Sequence, residues 1–469
     1  MKALAFDLGA GSGRAMLGSF EDGRLGIEEL HRFPNTPVQL STGLYWNTLG
    51  LFCEIRRGLA IAGRERKLNI DAVGVDTWGV DFGLLGADGA LVDNPRHYRD
   101  ARTNGILERT FAAVPKEEIF EATGIQFMQF NTLYQWHAMK LAQAPALSVA
   151  HRLLFLPDLF NYWLTGVERA ERTIASTSQF YDPRRRHFAR ELLDRLSLDA
   201  SILPQIVDPG TRLGSLLPEI AESSGLGPVP VYATGGHDTA SAVAAVPAQG
   251  EDWCYISSGT WSLVGVELDQ PLINARVLAS NFTNEAGAGG KIRFLRNIAG
   301  LWLLEECRRE WALGEHKLTY DDLLARAAQA QPRSAIVDPD EFLEPGRMPQ
   351  RITEHCRRTG QPVPKDPGQM TRVILESLAE RYCQVVKTLE SLTGRTIRVI
   401  HIVGGGSQNR LLNQLVADTT GRTVLAGPTE ATAIGNVLIQ AIGSGVLRGL
   451  AEARDVVRRS FPLERFEPA

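Results

Sequence analysis

The chain has 469 residues, more than one ordinary hydrophobic core supports, so we expect two large domains or three smaller ones. Hydrophobic residues make up 44% and charged residues 22%, a balance typical of a folded globular protein that argues against extensive disorder. A formal net charge of −4 argues against nucleic acid or an anionic membrane surface as a partner.

The amino terminus and the cysteines favour a reducing compartment. Residues 1–7 place a carboxylate where a signal peptide needs an apolar core, and no uncharged run approaches the length of a membrane span. Five cysteines are spread along the chain without C-x-x-C spacing, which indicates neither a disulfide framework nor a zinc ribbon. We therefore expect a cytoplasmic protein.

The first part of the chain predicts three strands joined by two turns. Residues 2–8, 14–20 and 25–33 have the composition and alternation of strands. A Gly-Ala-Gly-Ser-Gly turn joins the first pair, and Asp22-Gly23, a strong hairpin signal, joins the second. Because a dinucleotide-binding glycine loop opens into a helix, this turn is a phosphate-binding candidate of another kind.

A carboxylate follows a Gly-Gly pair near the middle of the chain. Residues 229–233 predict a strand and residues 240–245 a helix, with Asp238 between them. The glycines let the backbone bend and approach a ligand, and helix amides beside Asp238 would keep it ionised. Asp238 is therefore placed like a catalytic base. The alternative is that Asp238 or Thr239 merely caps the helix.

A second hairpin with a small-residue tip follows. Residues 253–266 contain two β-rich runs around a Ser-Ser-Gly-Thr turn that ends at Thr260. Two such hairpins suggest two related halves, which we assign to residues 1–246 and 247–469, with 247–252 as the connection.

The second half also predicts an α/β unit. Residues 396–403 read as a strand ending in three glycines at 404–406. A helix over 408–419, a strand over 423–426 and a helix from Thr429 follow. Glycines at the carboxyl end of a strand are typical of a ligand-binding edge, although a tight turn would explain them equally well.

These features together match the needs of nucleotide binding. Small residues let backbone N–H groups and hydroxyls reach phosphate oxygens, a carboxylate can hold hydrated Mg²⁺, and a glycine edge can lie against a purine. Asp238 would then take the proton from a substrate hydroxyl.

Seven segments carry a resemblance to a known family. They are residues 7–14 (DLGAGSGR), 75–82 (VDTWGVDF), 98–104 (YRDARTN), 236–241 (GHDTAS), 257–262 (SSGTWS), 297–304 (NIAGLWLL) and 401–409 (HIVGGGSQN). At these residues the chain resembles the FGGY carbohydrate kinases of the actin, sugar kinase and heat-shock ATPase superfamily, in family order over almost its whole length. The resemblance implies an α/β protein of two RNase H-like domains with a central cleft. It also implies ATP and Mg²⁺ as cofactors and transfer of the ATP γ-phosphoryl group to O1 of a ketose, L-rhamnulose.

The resemblance also implies roles for individual residues. Asp238 matches the catalytic base, and Asp7 is the carboxylate expected near Mg²⁺, unless it simply braces the hairpin. The implied ATP contacts are Ala10, Gly11, Ser12, Gly13, Arg14, Thr260 and Gly405, and the implied sugar contacts are Gly79, His237, Asp238, Thr239 and Asn297. Glu305 departs from the family, because a neutral, glutamine-like nucleotide contact is expected there.

Several alternatives stay open at this level. Trp78 and Trp261 could stack on a ligand or belong to the core, and His237 could bind a sugar hydroxyl or the catalytic carboxylate. A kinase for another ketose or polyol, such as L-fuculose or xylulose, is the nearest rival, and a non-catalytic actin-like nucleotide switch is a remote one. We expect a monomer or a weak homodimer whose partners are the ketose and ATP.

Overall fold

The computed structural model describes residues 1–313 and 318–469. The strands in these ranges are β1 (Lys2–Leu8), β2 (Ser12–Glu21), β3 (Arg24–Pro34), β4 (Val38–Leu40), β5 (Gly43–Tyr45), β6 (Ala72–Thr77), β7 (Phe82–Leu85), β8 (Leu91–Asp93), β9 (Arg152–Phe155), β10 (Ala170–Glu171), β11 (Tyr181–Asp182), β12 (His187–Phe188), β13 (Ile206–Val207), β14 (Arg212–Ser215), β15 (Pro230–His237), β16 (Trp253–Ser258), β17 (Trp261–Leu268), β18 (Thr283–Ala286), β19 (Ile292–Ala299), β20 (Val399–Val403), β21 (Thr423–Ala426) and β22 (Glu464–Phe466).

The helices in the same ranges are α1 (Thr48–Ala60), α2 (Ile106–Ala113), α3 (Lys116–Thr123), α4 (Thr132–Leu141), α5 (Pro145–Val149), α6 (Leu156–Thr165), α7 (Arg172–Ser176), α8 (Arg190–Arg195), α9 (Pro218–Ser224), α10 (Asp238–Ala244), α11 (Ala275–Ala279), α12 (Trp302–Ala312), α13 (Tyr320–Gln329), α14 (Met348–Arg358), α15 (Pro367–Thr393), α16 (Arg410–Thr420), α17 (Ala431–Gly443) and α18 (Leu450–Ser460). None of the helices in the described ranges is long and apolar enough to cross a membrane.

The first large sheet has the strand order β14-β15-β6-β1-β2-β3. β1 pairs antiparallel with β2 and parallel with β6, and β6 pairs parallel with β15. The carboxyl ends of β1, β6 and β15 therefore meet at one edge of the sheet, which is the edge where ligands bind in open α/β sheets. β1 and β6 are buried almost throughout, as expected for strands covered on both faces.

The second large sheet has the order β18-β19-β17-β16-β20-β21-β22. β16 pairs antiparallel with β17 and parallel with β20, and β20 pairs parallel with β21. This repeats the arrangement of β1, β2 and β6, so both hairpins predicted from the sequence begin a sheet of the same kind. The smaller sheets of the described residues pair β4 with β5, β10 with β13, β11 with β12, and β8 and β9 with β7.

The chain divides into two compact units, each built from separate segments. Unit 1 comprises Met1–Pro247, Glu267–Phe294 and Ala431–Ser460, and unit 2 comprises Ala248–Val266, Leu295–Glu430 and Phe461–Ala469. The chain first leaves unit 1 at the predicted connection. Two segments that we assigned by sequence to the second half, 267–294 and 431–460, nevertheless fold into unit 1.

The helix α17 shows why a carboxyl-terminal segment belongs to unit 1. Its residues are buried over most of its length, and it packs on β1, β15 and α10. Gln440 of α17 donates a hydrogen bond to the backbone carbonyl of Leu4 at 3.0 Å, and Asn436 donates to Asp76 at 2.5 Å. A helix that is apolar nearly all round must be covered on several sides, and here the first sheet provides one of them.

Candidate active site

Three carboxylates lie at the carboxyl ends of neighbouring strands in unit 1. Asp7 is near the end of β1 and is the register partner of Asp76 in β6, while Asp238 follows β15 directly. Asp76 is completely buried, and burial raises its pKa well above the usual range, with Asp7 and Asp238 adding to the shift. Three carboxyl groups therefore lie close together at this edge of the first sheet, and their mutual repulsion favours binding of a proton or a cation there.

Asp238 is the first residue of α10, and the preceding residue, His237, is the N-cap. Oδ1 of Asp238 accepts the backbone N–H of Thr239 at 2.5 Å and the Thr239 hydroxyl at 3.1 Å. Within the described residues no hydrogen bond engages Oδ2, and the side chain is 30% exposed. Neither Asp238 nor Thr239 occupies the N-cap position, although Oδ1 of Asp238 satisfies one N–H of the first helical turn.

Burial raises the pKa of Asp238, although His237 and the hydrogen bonds from Thr239 act in the opposite direction. The nearby Asp7 carboxylate adds to the upward shift. The hydrogen bond from the Thr239 amide favours the ionised form, as we expected of the helix amides, but the effect of burial is larger. A carboxylate with a raised pKa is a stronger base than an ordinary aspartate, so this environment suits proton abstraction.

The Gly-Gly pair before Asp238 has a different role from the predicted turn. β15 continues through both glycines to His237, with a register shift against β6. Neither glycine has a positive φ angle. A Cβ atom on Gly235 would lie 2.8 Å from the backbone nitrogen of Ser241, and one on Gly236 would lie 2.9 Å from Oε2 of Glu171. The glycines are therefore required for close packing beneath the carboxylate.

Glu171 holds the backbone under Asp238, and the sequence analysis missed it. Its buried carboxylate accepts the N–H of Gly236 at 2.9 Å and the hydroxyl of Thr173 at 2.5 Å. Thr173 Oγ1 in turn accepts the N–H of His237 at 3.2 Å. Burial raises the pKa of Glu171 to about 6. Since these contacts are distant in sequence, no local pattern indicates them.

His237 connects Asp238 to a buried ion pair. Its Nε2 atom is 3.4 Å from Oδ1 of Asp238, and Nδ1 accepts a hydrogen bond from Nη2 of Arg293 at 3.1 Å. Glu285 lies 3.2 Å from Nδ1 and 3.0 Å from Arg293. A Cβ atom on Gly79 would lie 3.4 Å from the Nε2 atom. The structure thus brings Gly79, His237 and Asp238, all predicted sugar contacts, into one place.

The first glycine loop is open on one side. Gly9 donates its N–H to the carbonyl of Ser12 at 2.9 Å, and Asn35 donates to the carbonyl of Gly9 at 2.9 Å. Gly11 is exposed, and a Cβ atom there would meet nothing within 4 Å. Gly13 is buried against an aromatic ring of β3, so it serves packing within the hairpin. The tip at Gly11 is the accessible part of the loop.

Asp7 and Arg14 face each other across the β1–β2 hairpin. They are register partners, and Nη2 of Arg14 lies 2.5 Å from Oδ2 of Asp7. Asp7 therefore braces the hairpin through this ion pair. The described residues contain no group of three or more His, Cys, Asp or Glu side chains arranged to hold a metal ion.

Trp78 belongs to a buried cluster around Asp81. Trp46 and Trp78 donate their indole N–H groups to Oδ2 of Asp81 at 2.6 and 2.9 Å, and Gln135 donates to Oδ1 at 2.8 Å. Burial raises the pKa of Asp81 to about 6. Because Trp78 is only 5% exposed, the core interpretation applies to this tryptophan.

In unit 2, the second hairpin presents Thr260 at its tip. Thr260 is exposed, while its carbonyl accepts the N–H groups of Gly300 and Trp302, both at 3.1 Å. A Cβ atom on Gly300 would lie 2.5 Å from Oγ of Ser262, so this bracing requires glycine. Trp261 and Asn297 are both half-buried.

The three glycines that follow β20, residues 404–406, pack against the hairpin of β16 and β17. Gly404 has a φ of +84°, and a Cβ atom on Gly406 would overlap Oγ of Ser258. Gly405 between them is exposed, with nothing within 4 Å of a Cβ atom. Thr260 and Gly405, both predicted ATP contacts, therefore belong to two loops that pack together. Glu305 is paired with Arg308 at 2.8 Å.

Comparisons with known proteins identify the family to which the chain belongs. Two family models, the FGGY family of carbohydrate kinases N-terminal and C-terminal domains, match residues 2–245 and 254–444. The chain therefore belongs to the FGGY family of carbohydrate kinases, the class that its fold and carboxylate-lined sheet edge define, and it is an ATP-dependent sugar kinase. The predicted family, fold and enzyme class are confirmed.

Individual relatives are similar over nearly the whole chain. A rhamnulokinase from Bacteroides thetaiotaomicron is 46% identical over 99% of this chain and 95% of its own length. A rhamnulokinase from Oceanobacillus iheyensis is 38% identical over 98% of this chain and 97% of its own length.

Solved structures share the fold at low identity. A xylulose kinase from Lactobacillus acidophilus superposes with a TM-score of 0.83 at 16% identity, over 100% of this chain and 94% of that one. A Plasmodium falciparum glycerol kinase with ADP gives 0.80 at 13% identity, over the same shares of the two chains.

Proposed function

We propose that the protein transfers the γ-phosphoryl group of ATP to O1 of L-rhamnulose, as a step of L-rhamnose degradation. The choice of sugar is supported by the rhamnulokinases that are 46% and 38% identical over almost the whole chain. The phosphoryl-transfer chemistry is supported by one observation above all. Asp238 has a raised pKa, one oxygen held by Thr239, and a partly exposed side chain at the ligand edge of the sheet.

Asp238 acts in this proposal as the general base. Thr239 holds Oδ1, so Oδ2 is the oxygen that takes the proton from the O1 hydroxyl of the ketose. Phosphoryl transfer depends mainly on positioning and charge stabilisation, with the base orienting the attacking hydroxyl and accepting its proton. Glu171 contributes by fixing the backbone of Gly236, two residues before the base.

The sugar contacts of the proposal are Gly79, His237, Thr239 and Asn297. Gly79 is supported by its position beside the imidazole of His237, where its missing side chain leaves room for a ligand. Asn297 is in β19 of unit 2 and is half-buried.

The ATP contacts of the proposal come from loops whose tips are open. In unit 1 they are the backbone of the loop from Ala10 to Gly13 and the side chain of Arg14. In unit 2 they are the hydroxyl of Thr260 and the backbone of Gly405. Exposed glycine tips let phosphate oxygens approach backbone N–H groups closely, and both loops offer such a tip.

Asp7 and Asp76 fit a magnesium ion that is also bound by phosphates and water. Mg²⁺ usually takes one or two carboxylates from the protein and keeps several waters. Oδ1 of Asp76 is a buried oxygen without a hydrogen-bond partner among the described residues, and the Asp7 carboxylate lies beside it in register. When bound, the ion would neutralise charge on the phosphate oxygens. Arg14 holds the Asp7 carboxylate in position.

The same proposal includes a cytoplasmic location and a monomer or weak homodimer. A net charge of −4 is compatible with both.

A coupled assay of ADP release over a panel of sugars tests the proposal. L-Rhamnulose should give the highest kcat/KM among L-rhamnulose, L-fuculose, xylulose and glycerol, and phosphorus NMR should locate the phosphate on O1. A tenfold preference for another member of the panel, which is about 1.4 kcal/mol in transition-state binding, would refute the choice of sugar. It would leave the kinase activity intact.

A further inference from the structure

The His237 imidazole lies between charged groups from three elements. Asp238, at the start of α10, is 3.4 Å from Nε2. Glu285 in β18 and Arg293 in β19 both lie beside Nδ1, at 3.2 and 3.1 Å. These are the charged side chains that face the ring within the described part of the chain, so they determine which nitrogen carries the proton.

Arg293 decides the tautomer because a guanidinium can only donate hydrogen bonds. Nη2 of Arg293 meets the Nδ1 atom of His237 with hydrogen-bond geometry, so Nδ1 is the acceptor and has no proton. In a neutral imidazole the proton is then on Nε2, the nitrogen that faces Oδ1 of Asp238. Glu285 pairs with Arg293 at 3.0 Å and compensates its charge.

The burial of this ion pair supports a role beyond packing. Arg293 is completely buried, and its Nε atom donates to the carbonyl of Ala286 at 3.0 Å, which fixes the guanidinium plane. Burying two charges is costly, and apolar residues of similar size often stabilise a fold as well or better. A buried Arg–Glu pair that is connected through one histidine to a catalytic carboxylate therefore has a reason to be there that packing does not supply.

We infer that Arg293 and Glu285 are positioning residues that hold His237 as the neutral Nε2–H tautomer. The histidine then donates its proton to Oδ1 of Asp238, which leaves Oδ2 to receive the proton of the substrate hydroxyl. This inference rests on the proposed role of Asp238 as the general base.

Histidine-selective nitrogen-15 NMR of the full chain tests the tautomer directly. The His237 signals are assigned by their loss in His237→Gln. We expect a protonated Nε2 and an unprotonated Nδ1 in the wild type at neutral pH. In Arg293→Met the charged group left beside Nδ1, among the described residues, is the Glu285 carboxylate at 3.2 Å, so that nitrogen should become protonated. A wild-type signal from an Nδ1–H tautomer or an imidazolium would overturn the inference.

Kinetics test whether the tautomer matters for catalysis. Arg293→Met should lower kcat by about tenfold to a hundredfold, the cost of a misplaced catalytic group, with a much smaller change in KM for the ketose. Arg293→Lys keeps a donor beside Nδ1 and should recover part of the loss. His237→Gln retains an N–H group near the position of Nε2, whereas His237→Asn does not. The glutamine variant should therefore be the more active of the two.

A matched control separates positioning from stability. Arg372→Met removes the arginine of another largely buried pair, Arg372–Glu376 in α15 of unit 2, where the two side chains are 12% and 5% exposed. Its kcat should stay near wild type at a similar loss of melting temperature. Equal kcat losses in the two variants would overturn the inference. If Arg293→Met does not fold, the Glu285→Gln/Arg293→Met double variant, which removes the unpaired carboxylate, replaces it.

The outcome for Asp238→Asn distinguishes this inference from the proposed function. If that variant keeps wild-type activity, the general base is refuted and the positioning role is overturned with it. If it is inactive while Arg293→Met behaves like the control, only the positioning role is overturned.

Discussion

Replacing Asp238 with asparagine removes the proposed base and preserves nearly everything else around it. The Oδ1 atom of the introduced amide would still accept the N–H and hydroxyl of Thr239, which lie 2.5 and 3.1 Å from Oδ1 in the wild type. The side chain is 30% exposed, and the variant loses a charge that burial and Asp7 already disfavour. We therefore expect the free energy of unfolding to change by no more than about 1 kcal/mol, the range of one hydrogen bond.

The expected loss of turnover is much larger. Removing a general base lowers kcat by roughly 10²–10⁴, which corresponds to about 3–5 kcal/mol in the activation barrier. ADP release in a coupled assay with saturating sugar and ATP measures kcat, and calorimetry with a non-hydrolysable ATP analogue measures nucleotide binding. The affinity of Asp238→Asn for the ATP analogue should be close to that of the wild type, since the predicted ATP contacts are other residues.

The matched control is Asp269→Asn, which makes the same chemical change at an exposed aspartate of unit 1 that pairs with Lys291. It should keep wild-type turnover. If Asp238→Asn retained more than about a tenth of wild-type kcat, less than the smallest effect of removing a base, the assignment of Asp238 would be wrong. Loss of folding in Asp238→Asn would instead show that the carboxylate is structural.

Three further measurements test local environments in the fold. Gly406→Ala should lower the melting temperature, because the added methyl group overlaps Ser258. Gly405→Ala has open space around the added methyl group, so it should fold normally and raise KM for ATP. Equal melting temperatures of the two variants would refute the packing argument. Burial raises the pKa of Asp81 from 3.8 to about 6, so the folded protein holds this proton more tightly than the unfolded chain does. The free energy of unfolding of the wild type should therefore fall by about 3 kcal/mol as pH rises from about 4 to 6. Denaturant titrations at several pH values should show a smaller loss of unfolding free energy in Asp81→Asn. The same pH dependence in the variant and the wild type would contradict the raised pKa of Asp81. Burial raises the pKa of Asp238. In a pH profile of kcat/KM, activity should therefore be lost on the acidic side at a higher pH than it would be with an ordinary aspartate as the base.

Local sequence patterns were sufficient for the hairpins. Alternation and the Asp22-Gly23 turn predicted strands at 2–8, 14–20 and 25–33, and the structure has β1, β2 and β3 there with ends shifted by at most two residues. These strands follow one another directly and are joined by tight turns. Their positions therefore depend on short-range backbone preferences that a sequence displays.

The residues that support Asp238 could not be found in the same way. Glu171 reaches Gly236 and Arg293 reaches His237 across 65 and 56 positions of the chain. A charged residue within an apolar strand, as Arg293 is in β19, signals that a buried partner exists without identifying it. The site also depends on segments folding into unit 1 from far along the chain, and local periodicity contains no information about that.

The three carboxylates at the sheet edge differ in what their surroundings permit, and this difference favours one of them as the base. Asp7 is paired with Arg14 at 2.5 Å, which compensates its charge and fixes its position. Asp76 is completely buried, Asn436 occupies its Oδ2 atom at 2.5 Å, and its Oδ1 atom is the oxygen that we assign to the magnesium ion, so neither oxygen is available to a sugar hydroxyl. Asp238 combines a raised pKa with a partly exposed carboxylate that is held through one oxygen only. A base must both reach its substrate and have an oxygen that can accept the proton, and among these three carboxylates Asp238 is the one whose position meets both conditions.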